Sequence, residues 1–115
     1  MNIELTVAYV GFGGNIGDGE YFYSYSPNVI IVNAKQEPLN FVFSSATSKD
    51  FAMKEIVTTD ANNQFSTATK ASDGRSMQTT DSNSHAQLTF LAIIVQDKTR
   101  NKQISCDPQI LNVPD

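Results

Sequence analysis

The stretch Ala86-Gln87-Leu88-Thr89-Phe90-Leu91-Ala92-Ile93-Ile94-Val95-Gln96-Asp97 decides the fold class. A two-residue period puts Leu88, Phe90, Ala92 and Ile94 on one side and Leu91, Ile93 and Val95 on the other. Such a segment reads as the strongest strand of the chain, and its centre is expected to be fully buried.

Working outward, Lys98–Lys102 is a polar hairpin tip, and Gln103–Leu111 returns with Ile104 and Cys106 before Pro108 and Ile110-Leu111 after it. On the other side, Asp81–His85 is a loop. Arg75–Thr80 and the polar Gln64–Thr69 flank Ala71-Ser72-Asp73-Gly74, where Asp-Gly favours a primed hairpin turn. Phe51–Thr58 is ambiguous: Ala52-Met53-Lys54-Glu55 favours a helical turn and Ile56-Val57-Thr58-Thr59 extension, and we read it as extended from about residue 54. Leu39, Phe41 and Phe43 alternate in a further strand. Val29-Ile30-Ile31-Val32 suggests a strand buried on both faces. Glu20–Ser26 is aromatic-rich, and Pro27 ends it or marks an edge or sheet-switching position, since proline cannot donate to a ladder. Near the start, Ile3, Leu5, Val7 and Tyr9 alternate with Glu4, Thr6 and Ala8 before the five glycines of Gly11–Gly19 break the pattern.

This spacing gives about seven to nine short strands and no helix of useful length, and the expected fold is an all-β, immunoglobulin-like antiparallel β-sandwich in one domain, 1–115. The Cys…Trp…Cys hallmark of true immunoglobulin domains is absent, because the chain has one Cys and no Trp. With 115 residues, of which 40% are hydrophobic and 17% charged, the chain is long enough to bury one core without disulfide or metal.

The net charge of −4 and the scattered cations, clustered only at Lys98, Arg100 and Lys102, exclude the basic footprint that a phosphate backbone requires, so no nucleic-acid partner is expected. No apolar run reaches membrane-spanning length and no signal peptide is evident. The chain is therefore expected to be cytoplasmic, with no membrane partner. Cys106 rules out an intramolecular disulfide and reads as a small buried hydrophobe.

No chemical motif is complete. Gly11-Phe12-Gly13-Gly14-Asn15-Ile16-Gly17 follows a strand, as a dinucleotide loop does, but its third glycine falls one position late and a strand follows where a helix must receive the pyrophosphate. Asp60-Ala61-Asn62-Asn63-Gln64 has alternate oxygen side chains, yet Phe65 and Ala71 stand where a calcium loop needs Gly and Glu. Asp18 is a lone carboxylate; it and the Asp60 stretch read as ordinary turns. His85 is the only histidine, too few for zinc, and no nucleophile elbow accompanies it. No catalytic residue, metal or cofactor is expected, and the chain is read as no enzyme. Tyr21, Tyr23 and Tyr25 share one strand face. Pointing inward they fill the core, with hydroxyls at its rim; pointing outward they form a strip suited to stacking on sugars or anchoring a partner.

The run Tyr23-Ser24-Tyr25-Ser26-Pro27 before Val29–Val32, and the closing Asp107-Pro108-Gln109-Ile110-Leu111-Asn112-Val113-Pro114, resemble the DP-EP family. The family's final Glu-Pro is replaced by Asp115, and the glycine-rich loop at 11–19 departs from its pattern. The resemblance implies a β fold and a bacterial origin, in a family of small proteins of unknown function. In the tail, Pro108 implies a fixed kink in the last strand, and Asp107 and Asn112 are candidate binding residues. The expected function is a non-catalytic protein-interaction or assembly module, pairing with an unidentified protein or as a weak homodimer through a sheet edge. The alternative is a carbohydrate or small-ligand module using Tyr21, Tyr23 and Tyr25.

Overall fold

The computed structural model describes every residue except Ala61 and Asp115, so those two members of the oxygen-rich turn and the terminal signature lie outside the described residues. Among the described residues no helix forms. The eleven strands are β1 (Asn2–Tyr9), β2 (Tyr21–Ser26), β3 (Val29–Val32), β4 (Glu37–Phe43), β5 (Phe51–Thr58), β6 (Thr69–Lys70), β7 (Ser76–Asp81), β8 (Gln87–Thr89), β9 (Leu91–Asp97), β10 (Lys102–Cys106) and β11 (Gln109–Asn112). The count exceeds the expected seven to nine because ladders break where backbone pairing fails, inside segments that read as single strands.

Three ladders result, in the orders β2-β1-β4-β7-β6, β10-β9-β5 and β3-β11-β8. The last two are continuous in register. Cys106 faces Ile93 in one and Ile110 faces Thr89 in the other, so the same pairing carries through the gap and sets Pro108 opposite Leu91. Pro108 has no N–H to offer, which interrupts the ladder without shifting it. Inside–outside alternation also runs unbroken from Gln103 to Val113. The two short ladders therefore form one composite surface, β3, then β11/β10, then β8/β9, then β5.

The expectation of purely antiparallel sheets fails at two places. β1 pairs parallel with β4, and β3 parallel with β11. The second follows from Pro27, which separates β2 in the five-stranded sheet from β3 in the other and carries the chain across.

The inner faces share one core, in which Ile3, Leu5 and Val7 of β1, Leu39 and Phe41 of β4, Leu91, Ile93 and Val95 of β9 and Ile110 of β11 are all buried. Burying such side chains contributes roughly 1.5–3 kcal/mol each. Four readings need correction. Val29–Val32 is buried on one face only, because β3 is an edge strand whose outer side nothing covers: Val29 and Ile31 are exposed, Ile30 and Val32 buried. The same holds for Ala86–Asp97, where Leu91, Ile93 and Val95 face inward while Leu88 and Phe90 are exposed. β5 begins at Phe51, earlier than expected, because its buried ring and its pairing with Asp97 override the local helix preference. The Ala71–Gly74 turn is not primed: only Gly74 has positive φ (70°), so an ordinary turn closed by Gly74 N–H on Ala71 O leads into β7.

Candidate interaction surface

The composite sheet leaves its outer face bare. Across three strands, Ile31, Leu111 and Leu88 stand side by side in register. Ile31 is 54% exposed and Leu88 51%. Val29 and Val113 extend the row along the strands, and Phe90, 65% exposed, extends it toward Val57 on β5. Beside Phe90 the ladder gap opens a shallow depression of about 240 Å³ lined by Val57, Ala92, Ser105, Asp107 and Pro108. The seven apolar residues are each 37–65% exposed, and a contiguous apolar patch of this kind on a monomer commonly marks a contact surface.

Asp107 sits at the rim of this depression, exposed, and accepts a hydrogen bond from Ser105 Oγ at 2.9 Å. Asn112 is turned the other way and buried, so it is not a surface binding residue. Its Nδ2 donates to Gln64 Oε1 at 2.8 Å and to Asp81 Oδ1 at 3.0 Å.

The three tyrosines do not form a strip. Tyr21 is 1% and Tyr25 6% exposed, and Tyr23 is half-buried against the core. Their hydroxyls tie β2 to the opposite sheet. Tyr21 donates to Asp97 Oδ2 at 2.7 Å and Tyr25 to Cys106 O at 2.7 Å, while Tyr23 reaches Asp107 O at 3.5 Å. A sugar has no aromatic platform there, and the carbohydrate reading that relied on it falls.

Three of the sheet edges are poorly suited to pairing. On β2 the glycine-rich loop folds back so that Asn15 imitates a strand: its Nδ2 donates to Tyr23 O and its Oδ1 accepts from Tyr23 N–H, both at 2.9 Å. Ile16 bridges Tyr21 in addition. Gly14 makes this possible, because a Cβ there would lie 2.0 Å from Tyr21 O. β5 carries a register shift between Met53 and Glu55, around the exposed Lys54, and bulge and lysine both discourage an added strand. β6 is only two residues long. The loop after β4 is likewise closed, since the Arg75 guanidinium donates to the carbonyls of Thr47, Ser48 and Phe51.

His85 is exposed, with Nδ1 2.8 Å from Ser84 Oγ, and among the described residues no carboxylate bonds its ring. Cys106 is buried, and burial pushes its thiol up to about 12, far from the thiolate a nucleophile needs. Asp60 uses both oxygens within its own turn and on Gln87: Asn62 N–H and Gln87 Nε2 donate to Oδ1, Gln64 N–H and Nε2 to Oδ2. No group of three or more His, Cys, Asp or Glu side chains suited to a metal occurs among the described residues. Among the described residues no helix is long and apolar enough to cross a membrane.

The apolar face was missed in the sequence because Leu88, Phe90 and Ile31 fall in runs greasy on both sides, which read as doubly buried. No protein-family model matches the chain, and no curated protein matches it significantly in sequence.

Proposed function

We propose that the chain is an immunoglobulin-like β-sandwich of the DP-EP kind that acts as a non-catalytic assembly module, pairing with a second copy of itself through the outer face of the composite sheet. The strand order supports the fold reading. β4, β7 and β6 lie beside one another as the B, E and D strands of such a domain do, β5, β8/β9 and β10/β11 as C, F and G, and β2 and β3 divide between the two sheets as a switching first strand does. β1 is then an added strand, inserted between the first and B.

The functional reading rests on the row Ile31–Leu111–Leu88 with Phe90 beside it. Seven apolar residues, each 37–65% exposed, form the face, with the uncharged Gln109 between Val29 and Phe90 and Asp107 beside them. A face that meets its own copy about a two-fold axis is self-complementary. No charged side chain stands in the row itself, so pairing buries no unmatched ion there. The face replaces the sheet edge as the proposed contact, because β2, β5 and β6 are each poorly open to a further strand and the remaining edge, β3, is only four residues long and itself carries Ile31 of the face.

Analytical ultracentrifugation of the full chain tests this. A concentration-dependent shift from monomer to dimer in the micromolar to millimolar range is expected. Leu111→Lys and Ile31→Lys, both on the outer face, should abolish it while the circular dichroism spectrum stays unchanged. A chain that remains monomeric throughout that range, or dimers that survive both substitutions, would rule the reading out.

A further inference from the structure

At one end of the molecule a knot of polar side chains is sealed from solvent. Asp81 closes β7, Asn83 follows two residues later with φ 52°, Asn112 closes β11, and Gln64 comes from the turn after β5. All four are at most 2% exposed.

Their hydrogen bonds engage every side-chain nitrogen of the knot and leave oxygens over. Asp81 Oδ1 accepts from Asn83 N–H at 2.9 Å and from Asn112 Nδ2 at 3.0 Å. Gln64 Oε1 accepts from Asn112 Nδ2 and from His85 N–H, and Gln64 Nε2 donates to Asp60. Asn83 Nδ2 donates to Ala34 O at 3.3 Å. Three buried atoms have no partner: Asp81 Oδ2, Asn83 Oδ1 and Asn112 Oδ1. Turning either amide over does not help. For Asn112 it would face an oxygen to Asp81 Oδ1 and Gln64 Oε1, and for Asn83 to Ala34 O.

The three orphans are all acceptors, and one belongs to a carboxylate. The ion pairs found among the described residues lie elsewhere, at Met1–Glu37, Asp97–Arg100 and Glu20–Lys102. A buried carboxylate without a counter-charge costs several kcal/mol, and each unpaired acceptor costs about 1–3 kcal/mol more. One water has two hydrogens to give and cannot serve three acceptors. Burial, and to a smaller degree the charge of Asp60, push the Asp81 carboxyl upward, and Asp60 offers no ligand of its own, since both its oxygens are engaged.

We propose that Asp81 Oδ2, Asn83 Oδ1 and Asn112 Oδ1 are the ligands of a buried hard metal cation. Carboxylate and carboxamide oxygens are the donors such ions select. The single carboxylate sets a low ligand charge, which suits a monovalent ion or a weakly held divalent one. The ion would join the ends of β7 and β11, one from each sheet.

The test is a thermal melt of the full chain, stripped with chelator and held at constant ionic strength with tetramethylammonium chloride, against added Ca²⁺, Na⁺ or Mg²⁺ in separate arms. A rise of about 10 °C at a hundredfold excess over the dissociation constant is expected in the Ca²⁺ or the Na⁺ arm, and the arm that responds identifies the charge class. Asp81→Asn, a neutral isostere, should lose the rise. Asn112→Asp, which adds a second carboxylate, should move the preference toward Ca²⁺ and serves if the first variant folds poorly. No rise in any arm, with Asp81→Asn at least as stable as the parent at neutral pH, would assign a proton to Asp81 and overturn the site. A rise that persists in Asp81→Asn would overturn it equally.

Discussion

Tyr21 shows how much one hydroxyl carries. Its ring packs edge-on against Tyr9 and Phe51, and its hydroxyl donates to the fully buried Asp97, which also accepts from the Thr99 and Arg100 backbone and from the Arg100 guanidinium. Arg100 lies over the Tyr9 ring at 3.6 Å, closing the cluster against solvent. Burial pushes Asp97 upward, but the Tyr21 and Arg100 hydrogen bonds outweigh it and hold the carboxyl below its usual 3.8. Burial, then the bond to Asp97, push Tyr21 from 10.0 up to about 12. A tyrosine raised in the folded state favours folding fully below pH 10 and loses that contribution as the pH climbs through about 12. The protein should therefore lose stability progressively across pH 10–12, seen in urea midpoints. Tyr21→Phe should lessen that slope, with Tyr25 and Cys106, which burial also pushes up, supplying the rest, and at pH 7 should cost about 1.5–3 kcal/mol by removing a bond to a buried charge. An unchanged alkaline slope in the variant would show that another group governs it.

Among the elements, β2 and its loop make the sharpest case. The loop's close approach depends on Gly14, whose missing Cβ leaves room for Tyr21 O, and on Asn15, whose amide occupies Tyr23's outward N–H and C=O. Gly14→Ala should detach the loop, lower stability by about 1–3 kcal/mol and speed hydrogen exchange at the Tyr23 amide by tenfold or more. Retained protection there would mean that the loop holds without the close contact. None of this was legible in the glycine count, which says only that a loop is present; a side-chain amide standing in for a strand leaves no periodic trace. What was legible is β1, β4 and β10, where alternation with polar partners names the inward face. Val29–Val32 and Leu88–Ile94 were misread for one reason: an apolar run looks the same whether a second layer or nothing covers its outer side. Of the candidate site, Asp107 was placed at the surface as a binding role requires. Asn112 was not, because a closing carboxamide gives no sign of which way it turns.

For the molecule as a whole, the net charge of −4 matters. Two copies brought face to face repel, while the apolar row attracts without regard to salt. Raising sodium chloride from about 20 to 300 mM shortens the screening length from about 20 to 6 Å, so dimerisation should tighten several-fold over that range. Association that weakened with salt would point instead to ion pairs across the contact. The cation proposed between β7 and β11 would act on this balance from the far side of the sheet, by fixing the end of β11 that carries Leu111.

The occupation of Tyr23's outward hydrogen-bonding groups by Asn15 also limits how far assembly can go. Strand addition at a bare margin can repeat without end, whereas two faces that cover each other leave nothing for a third chain to join. With β2 stoppered in this way and β5 bent at Lys54, the route from small β protein to fibre is obstructed at two of its natural starting points.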